Sequence, residues 1–239
     1  MKAQILKTLA ALALITTSAA AQETPMENHT ASYIAMPAAE GQTEAFAEFL
    51  AGAAPIVADT EPGTVLWFAL QAEDTLAIFD IFVDEEARNA HFSGAVAAAL
   101  NQNADALVAG GWDDGVVANI NNSDVLSMRE PVDLYSATTA TYITLEAAPG
   151  KGPELAALLT AAGPIVEETE PGTLFWAALQ IDETSFAIFD IFTNNAGREA
   201  HFAGQVAGLL KERAAELVAG GWDDGVVANV HNFDILAIK

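Results

Sequence analysis

The sequence predicts an α+β fold in which two tandem β-α-β-β-α-β units close on each other as a single barrel. Three observations predict it. The string LVAGGWDDGVVAN at 107–119 recurs letter for letter at 217–229, an offset of 110 residues. That offset is the size of a small domain and too long for a solenoid repeat. The elements of each copy read in the same order. Lastly, the apolar runs VLWFAL (65–70) and LFWAAL (174–179) do not alternate with polar residues. Both faces of the sheet they build therefore need covering.

The repeat covers most of the chain. EPGTVLWFALQ at 61–71 returns as EPGTLFWAALQ at 170–180, AIFDIF at 77–82 returns at 187–192, and AHFSGAVAAAL at 90–100 returns as AHFAGQVAGLL at 200–210. The offset changes from 109 to 110 between the first two of these pairs, so the second hairpin holds one extra residue.

Within a copy, ASYIAM (31–36) alternates and reads as a strand. Residues 41–60 carry Phe46, Phe49, Leu50 and Ala53 at helical spacing, with Thr43 as the expected cap and Pro55 expected to kink the helix or end its regular part. EPG is a turn. TVLWFALQ and TLAIFDIF are strands joined by AED into a hairpin. Residues 84–110 read as one long Ala-rich helix, acidic in its first turn, where the helix dipole favours negative charge, and ended by Gly110 and Gly111. DVLSM (124–128) closes the copy, as DILAIK (234–239) closes the second. This order is the ferredoxin-like split βαβ arrangement, with both helices on one face of a four-stranded antiparallel sheet. The other apolar face of each sheet is covered by the second copy, which makes an intrachain pseudo-dimeric α+β barrel. The expected domains are 22–128 and 140–239, with 129–139 as linker.

Residues 1–21 read as a secretory signal peptide. Lys2 and Lys7 form the charged start, Leu9–Ile15 the apolar core, and Ala19 and Ala21 the small residues of a cleavage site before Gln22. The apolar run is far shorter than the roughly 20 residues that span a bilayer. The expected location is periplasmic or secreted, with no membrane contact after cleavage. The chain contains no cysteine, so disulfides and thiol chemistry are excluded.

Nine basic residues stand against 33 acidic ones, a formal charge of −24. Such a surface repels nucleic acid and anionic lipid. WDDG lacks the alternating spacing of a calcium loop. No metal-ligand spacing, Gly-rich nucleotide loop or Ser-His-Asp order is present to suggest another enzyme class, and no metal is expected.

The candidate functional residues come in pairs. His91 and His201 hold the same place near the start of the second helical segment, and imidazole moves protons well at neutral pH. They serve as a catalytic base or bond a carboxylate or carbonyl at the helix start. Asp80 and Asp190 lie inside apolar strands, where a carboxylate needs a partner. They orient the histidines, pair with Arg88 and Arg198, or point to the sheet edge. Trp67 and Trp176 are either core or a pocket wall whose indole N–H holds a substrate oxygen. Trp112 and Trp222, in the repeated string, plug the end of each copy or form a lid, with Asp113, Asp114, Asp223 and Asp224 expected to cap the turn.

The stretch EPGTLFWAALQIDETSFAIFDIFTNNAGREAHFAGQVAGLL resembles the core of the antibiotic biosynthesis monooxygenase, or quinol monooxygenase, family of dimeric α+β barrels. The likeness spans residues 31–108 and 140–218 and includes APGKG at 148–152. It implies a cofactor-independent monooxygenase that combines a small aromatic quinol or phenol with O2, with both halves of the usual dimer on one chain; the signal peptide makes it an exported one, and further homo-oligomerisation is left open. The chain departs from the family pattern at Asp80 and Asp190, where the family often has Glu, at Phe82 and Phe192, and at Val96 and Val206, in a stretch where a second histidine often stands. These departures leave few polar groups for proton chemistry. The alternative reading is a non-catalytic module of the same fold that binds a small apolar ligand or serves a structural role.

Overall fold

The computed structural model describes residues 29–239; the signal peptide reading falls on residues outside these. The first copy comprises β1 (Thr30–Pro37), α1 (Thr43–Thr60), β2 (Thr64–Ala72), β3 (Thr75–Phe82), α2 (Glu85–Phe92), α3 (Ala95–Leu107) and β4 (Ile120–Arg129). The second comprises β5 (Thr139–Glu146), α4 (Gly152–Thr169), β6 (Thr173–Gln180), β7 (Ser185–Phe192), α5 (Asn195–Phe202), α6 (Gln205–Leu217), a single turn α7 (Gly221–Gly225) and β8 (Val230–Ile238).

All eight strands join one closed antiparallel barrel in the order β1-β3-β2-β8-β5-β7-β6-β4. Two strands make the closure. β4 pairs with β1 of its own copy through Ile120–Asp124 and with β6 of the other copy from Asp124 to Arg129. β8 does the same, pairing with β5 up to Asp234 and with β2 from Asp234 onward. Each crossing is accompanied by a register shift, one between Val125 and Ser127 and one between Ala69 and Leu70 of β2. Such irregularities bend a strand, as a closed barrel requires.

The non-alternating hairpins serve two cores. Leu66, Phe68, Leu70, Ala77, Phe79 and Ile81 point into the barrel with their equivalents from the second copy. Trp67, Ala69, Leu76 and Ile78 point outward under α1 and α3. Where the copies meet inside the barrel, Tyr33 stacks on Tyr142 and Phe79 on Phe189, each pair with ring centroids 3.7 Å apart. Such pairs add about 0.5–1.5 kcal/mol each beyond their buried area. Both stacked pairs join a residue to its own repeat, so the barrel interior lies on the pseudo-twofold.

Several local expectations are corrected. The span 84–110 is two helices, α2 and α3, broken at Ser93–Gly94; the second copy is broken at the equivalent Ala203–Gly204. Each break lets the chain turn around a glutamate, described below. α1 runs through Pro55 to Thr60. Pro55 stands on the exposed face, where water can take the carbonyl its ring frees. Phe49 is only half-buried. Thr43 does not cap α1; its hydroxyl donates to Asp74 Oδ1 at 2.8 Å.

The repeated string is a tight turn. Gly110 and Gly111, with φ of 88° and 64°, and Gly220 and Gly221, with 81° and 66°, adopt left-handed conformations that suit glycine. The last residue of the string holds the turn: the Asn119 amide donates to the carbonyls of Asp114 and Gly115, and the Asn229 amide to those of Asp224 and Gly225. Trp112 and Trp222 pack on the helix-side core of their own copies.

Because each copy's barrel-facing surface is buried only by the other, residues 22–130 expressed alone are expected to aggregate or to pair with a second copy. The bare face would exceed the roughly 300–600 Å² apolar patch that monomers carry. A monomeric fragment that unfolds cooperatively, by light scattering and thermal melting, would overturn this.

Candidate functional site

The outward face of β3 carries one charged residue among apolar ones. Asp80 lies between Ile78 and Phe82, fully buried, and sits opposite Trp67 in the β2–β3 register. α2 begins with Asp84 as its cap, whose carboxylate accepts from the Ala87 amide at 2.8 Å, and it ends by carrying His91 over Phe82. The EPGT turn between α1 and β2 supplies Glu61. The three side chains meet: His91 Nδ1 lies 2.5 Å from Glu61 Oε2, and His91 Nε2 lies 3.6 Å from Asp80 Oδ2.

The second copy repeats the arrangement. His201 Nδ1 bonds Glu170 Oε2, His201 Nε2 lies 3.7 Å from Asp190 Oδ1, and Trp176 faces Asp190 across the strands. Thr64 and Thr173, the last residues of the two EPGT turns, donate to the same glutamate oxygens at 3.1 and 3.3 Å. Each half therefore holds a Glu–His–Asp relay on the helix side of the sheet, its histidine and aspartate buried.

The glutamates need space that glycine provides. A Cβ on Gly94 would stand 2.7 Å from Glu61 Oε1, and one on Gly204 would stand 2.5 Å from Glu170 Oε1. These are the glycines at the two helix breaks.

Electrostatics follow from burial. Removal from water pushes the Asp80 and Asp190 carboxyls up to about 7, against the pull of the neighbouring histidine and with a further push from the glutamate. For His91 and His201, burial disfavours the imidazolium, but the aspartate and glutamate around each ring outweigh it and hold the imidazole above its ordinary value. Both Asp80 oxygens and the Trp67 indole N–H have no hydrogen-bond partner among the described residues, and the same is true of Asp190 and Trp176. Buried polar atoms are normally paired, which sets these three atoms per half apart from the rest of the core.

The structure thus joins His91, Asp80 and Trp67, and His201, Asp190 and Trp176. It does not pair Asp80 or Asp190 with arginine: Arg88 turns to Glu85 and Arg198 to Asn195. Trp112 and Trp222 belong to the end turns instead of the relays; Lys211 Nζ lies 5.6 Å from the centre of the Trp222 ring. Sequence reasoning places Glu61 and Glu170 only in turns and misses their part in the relays. The signal that could have found them is a carboxylate at the same place in both copies, matched by a glycine repeated after each AHF. Among the described residues, no cluster of three or more His, Cys, Asp or Glu side chains is arranged to hold a metal.

Two cavities bear on access. A crevice of about 230 Å³ is lined by Glu170, Thr173, Gly197, His201, Gly204 and Gln205 and reaches the outer edge of the second relay. A cavity of about 1040 Å³ opens between the copies at one end of the barrel, lined by Tyr33, Tyr142, Phe233 and His231 among others; neither relay histidine touches it.

No protein-family model matches the chain, and no curated protein matches it. Solved structures do. A protein from Fusobacterium nucleatum subsp. nucleatum assigned as a monooxygenase superposes with a TM-score of 0.73 at 14% identity, over 89% of this chain and 94% of that one. A second, from Lactobacillus acidophilus and assigned likewise, gives 0.67 at 10% identity, over 89% and 96%. The chain shares the fold of these two proteins, here two ferredoxin-like units in tandem closed into one barrel. A protein of unknown function from Nitrosomonas europaea is 36% identical over 45% of this chain and 98% of its own length, with a TM-score of 0.40.

Two outcomes are expected of this barrel. The folded chain holds protons on Asp80 and Asp190 that the unfolded chain releases above about pH 4, so this contribution to stability falls as pH rises from about 4 through 7. The raised histidines act in the same direction above their ordinary value. The melting temperature of a D80N/D190N variant should therefore depend less on pH, between about 5 and 8, than that of the parent; equal slopes would refute the assignment. Gly204→Ala should destabilise by about 1–3 kcal/mol through overpacking against Glu170, measurable by urea unfolding.

Proposed function

We propose that the chain is a cofactor-independent monooxygenase of small quinol or phenolic molecules, acting at the two Glu–His–Asp relays. The observation that carries this reading is the set of unpartnered buried polar atoms, Asp80 with Trp67 and Asp190 with Trp176, beside a histidine. A substrate hydroxyl can donate to the aspartate and accept from the indole. Glutamate fixes the Nδ1 side of the ring, which leaves Nε2 facing the aspartate and the substrate.

The chemistry needs a base and no external reductant. The histidine–aspartate couple, poised near neutrality, takes the phenolic proton. The electron-rich phenolate then reduces O2, and a carbon–oxygen bond forms. As the O–O bond breaks, one oxygen atom stays on the ring and the other leaves as water. A simple hydroquinone and one O2 thus give one hydroxyquinone and one water. The hydrogens of that water, and all the electrons that reduce O2, come from the substrate.

One observation favours a second reading, a non-catalytic module that binds a small apolar ligand. Both nitrogens of each histidine already face carboxylates, and the aspartates are fully buried. Oxygen uptake with a panel of quinols, without added flavin or metal, separates the two. With independent sites, His91→Gln and His201→Gln should each remove about half the turnover, and the double variant should lose about 10²–10⁴ in rate. A double variant with parental turnover would refute the base assignment, and ligand binding without oxygen uptake would favour the second reading.

We also propose that residues 1–21 direct export to the periplasm or medium. Among the described residues, no helix is long and apolar enough to cross a membrane. Mass spectrometry of the protein from its host should find Gln22 at the N-terminus; a full-length chain would refute this.

A further inference from the structure

Arg129 and Lys239 occupy equivalent places, the first at the end of β4 and the second just beyond β8. Both lie past the point where their strand has crossed to the other copy. The Arg129 guanidinium donates through Nη1 to the Glu170 carbonyl at 2.7 Å and to the Thr173 carbonyl. The Lys239 ammonium donates to the Glu61 carbonyl at 2.9 Å and to the Thr64 carbonyl. In each case the two carbonyls are the ends of the EPGT turn. The side chain of that turn's glutamate is the one bonded to the relay histidine.

Arg129 is buried and Lys239 half-buried. A cation is a costly way to fill space at a barrel seam unless its donors are used. Two different cations, arginine in one copy and lysine in the other, make the same pair of bonds.

We propose that Arg129 and Lys239 are positioning residues for the opposite copy's site: each clamps the EPGT turn so that its glutamate meets the histidine. Each relay is then incomplete without the other half of the chain. As a statement about activity this rests on the monooxygenase reading; the placement of the glutamate can be tested without substrate.

The test is a ring-15N NMR titration of the histidines in the full chain, with His91 and His201 assigned from their Gln variants. The charged groups facing His201 are Glu170 and Asp190, and those facing His91 are Glu61, Asp80 and Lys239. Arg129→Met should lower the His201 midpoint, because Glu170 no longer holds the imidazolium, and leave His91 unchanged. Arg129→Lys should restore His201. Lys239→Met, at the more exposed position, should lower the His91 midpoint, whereas loss of its charge alone would raise it. An unchanged His201, an equal shift of both histidines, a rise in His91 or a failed rescue by lysine would each overturn the proposal. Absence of oxygen uptake by the parent chain would count against the monooxygenase reading and leave these midpoints as they are.

Discussion

The apolar face that each four-stranded sheet turns away from its helices governs this structure. Phe68, Phe79, Phe175 and Phe189 on that face cannot be left in water, and a single copy has nothing to place over them. Closure into one barrel buries them and pairs the edges that each sheet would otherwise expose. The stacked Tyr33–Tyr142 and Phe79–Phe189 pairs show how far closure fixes the relation of the copies. At these two positions a residue meets its own repeat counterpart, so a change in one is felt by the other.

Closure also shapes the sites, although they lie on the other face of the sheet. β4 and β8 have to cross between copies, and their ends arrive beside the EPGT turns of the opposite half. The turn is thus held from its own side by the threonine and from the far side by a cation. Inside, the relay is electrostatically tight. Two carboxyls and one imidazole lie close together, and burial of the aspartate raises its affinity for a proton while the histidine's charge lowers it. The group best able to exchange a proton near neutrality is therefore the couple and not either residue alone.

Most of the architecture is legible in the sequence because a repeat and an apolar period are local signals. The hairpins, the order of the strands and the need for a second cover can all be read from runs such as VLWFAL. The break in the second helix is not legible, because Ala-rich sequence on both sides favours helix. The reason for Gly94 and Gly204 lies in a glutamate on the far side of the hairpin. Glu61 and Glu170 are hidden for the same reason: within EPGT they look like turn residues, and only the fold brings them to the histidines. For Trp67 and Trp176 the sequence leaves core and pocket wall as alternatives, and the packing places the ring in the core under the helices, with its N–H unpartnered among the described residues.

Joining the halves in one chain has a further consequence. In a dimer of identical chains every change appears in both sites, whereas a tandem chain can alter one alone. The two halves already differ: arginine clamps one turn and lysine the other, and Glu170 is buried where Glu61 is half-buried. Lys211 lies over Trp222, while the equivalent residue in the first copy is Asn101. The covalent link keeps the partner at high effective concentration whatever the strength of each contact. A weakened seam on one side can therefore be tolerated, and the two relays are free to acquire different proton affinities within a single barrel.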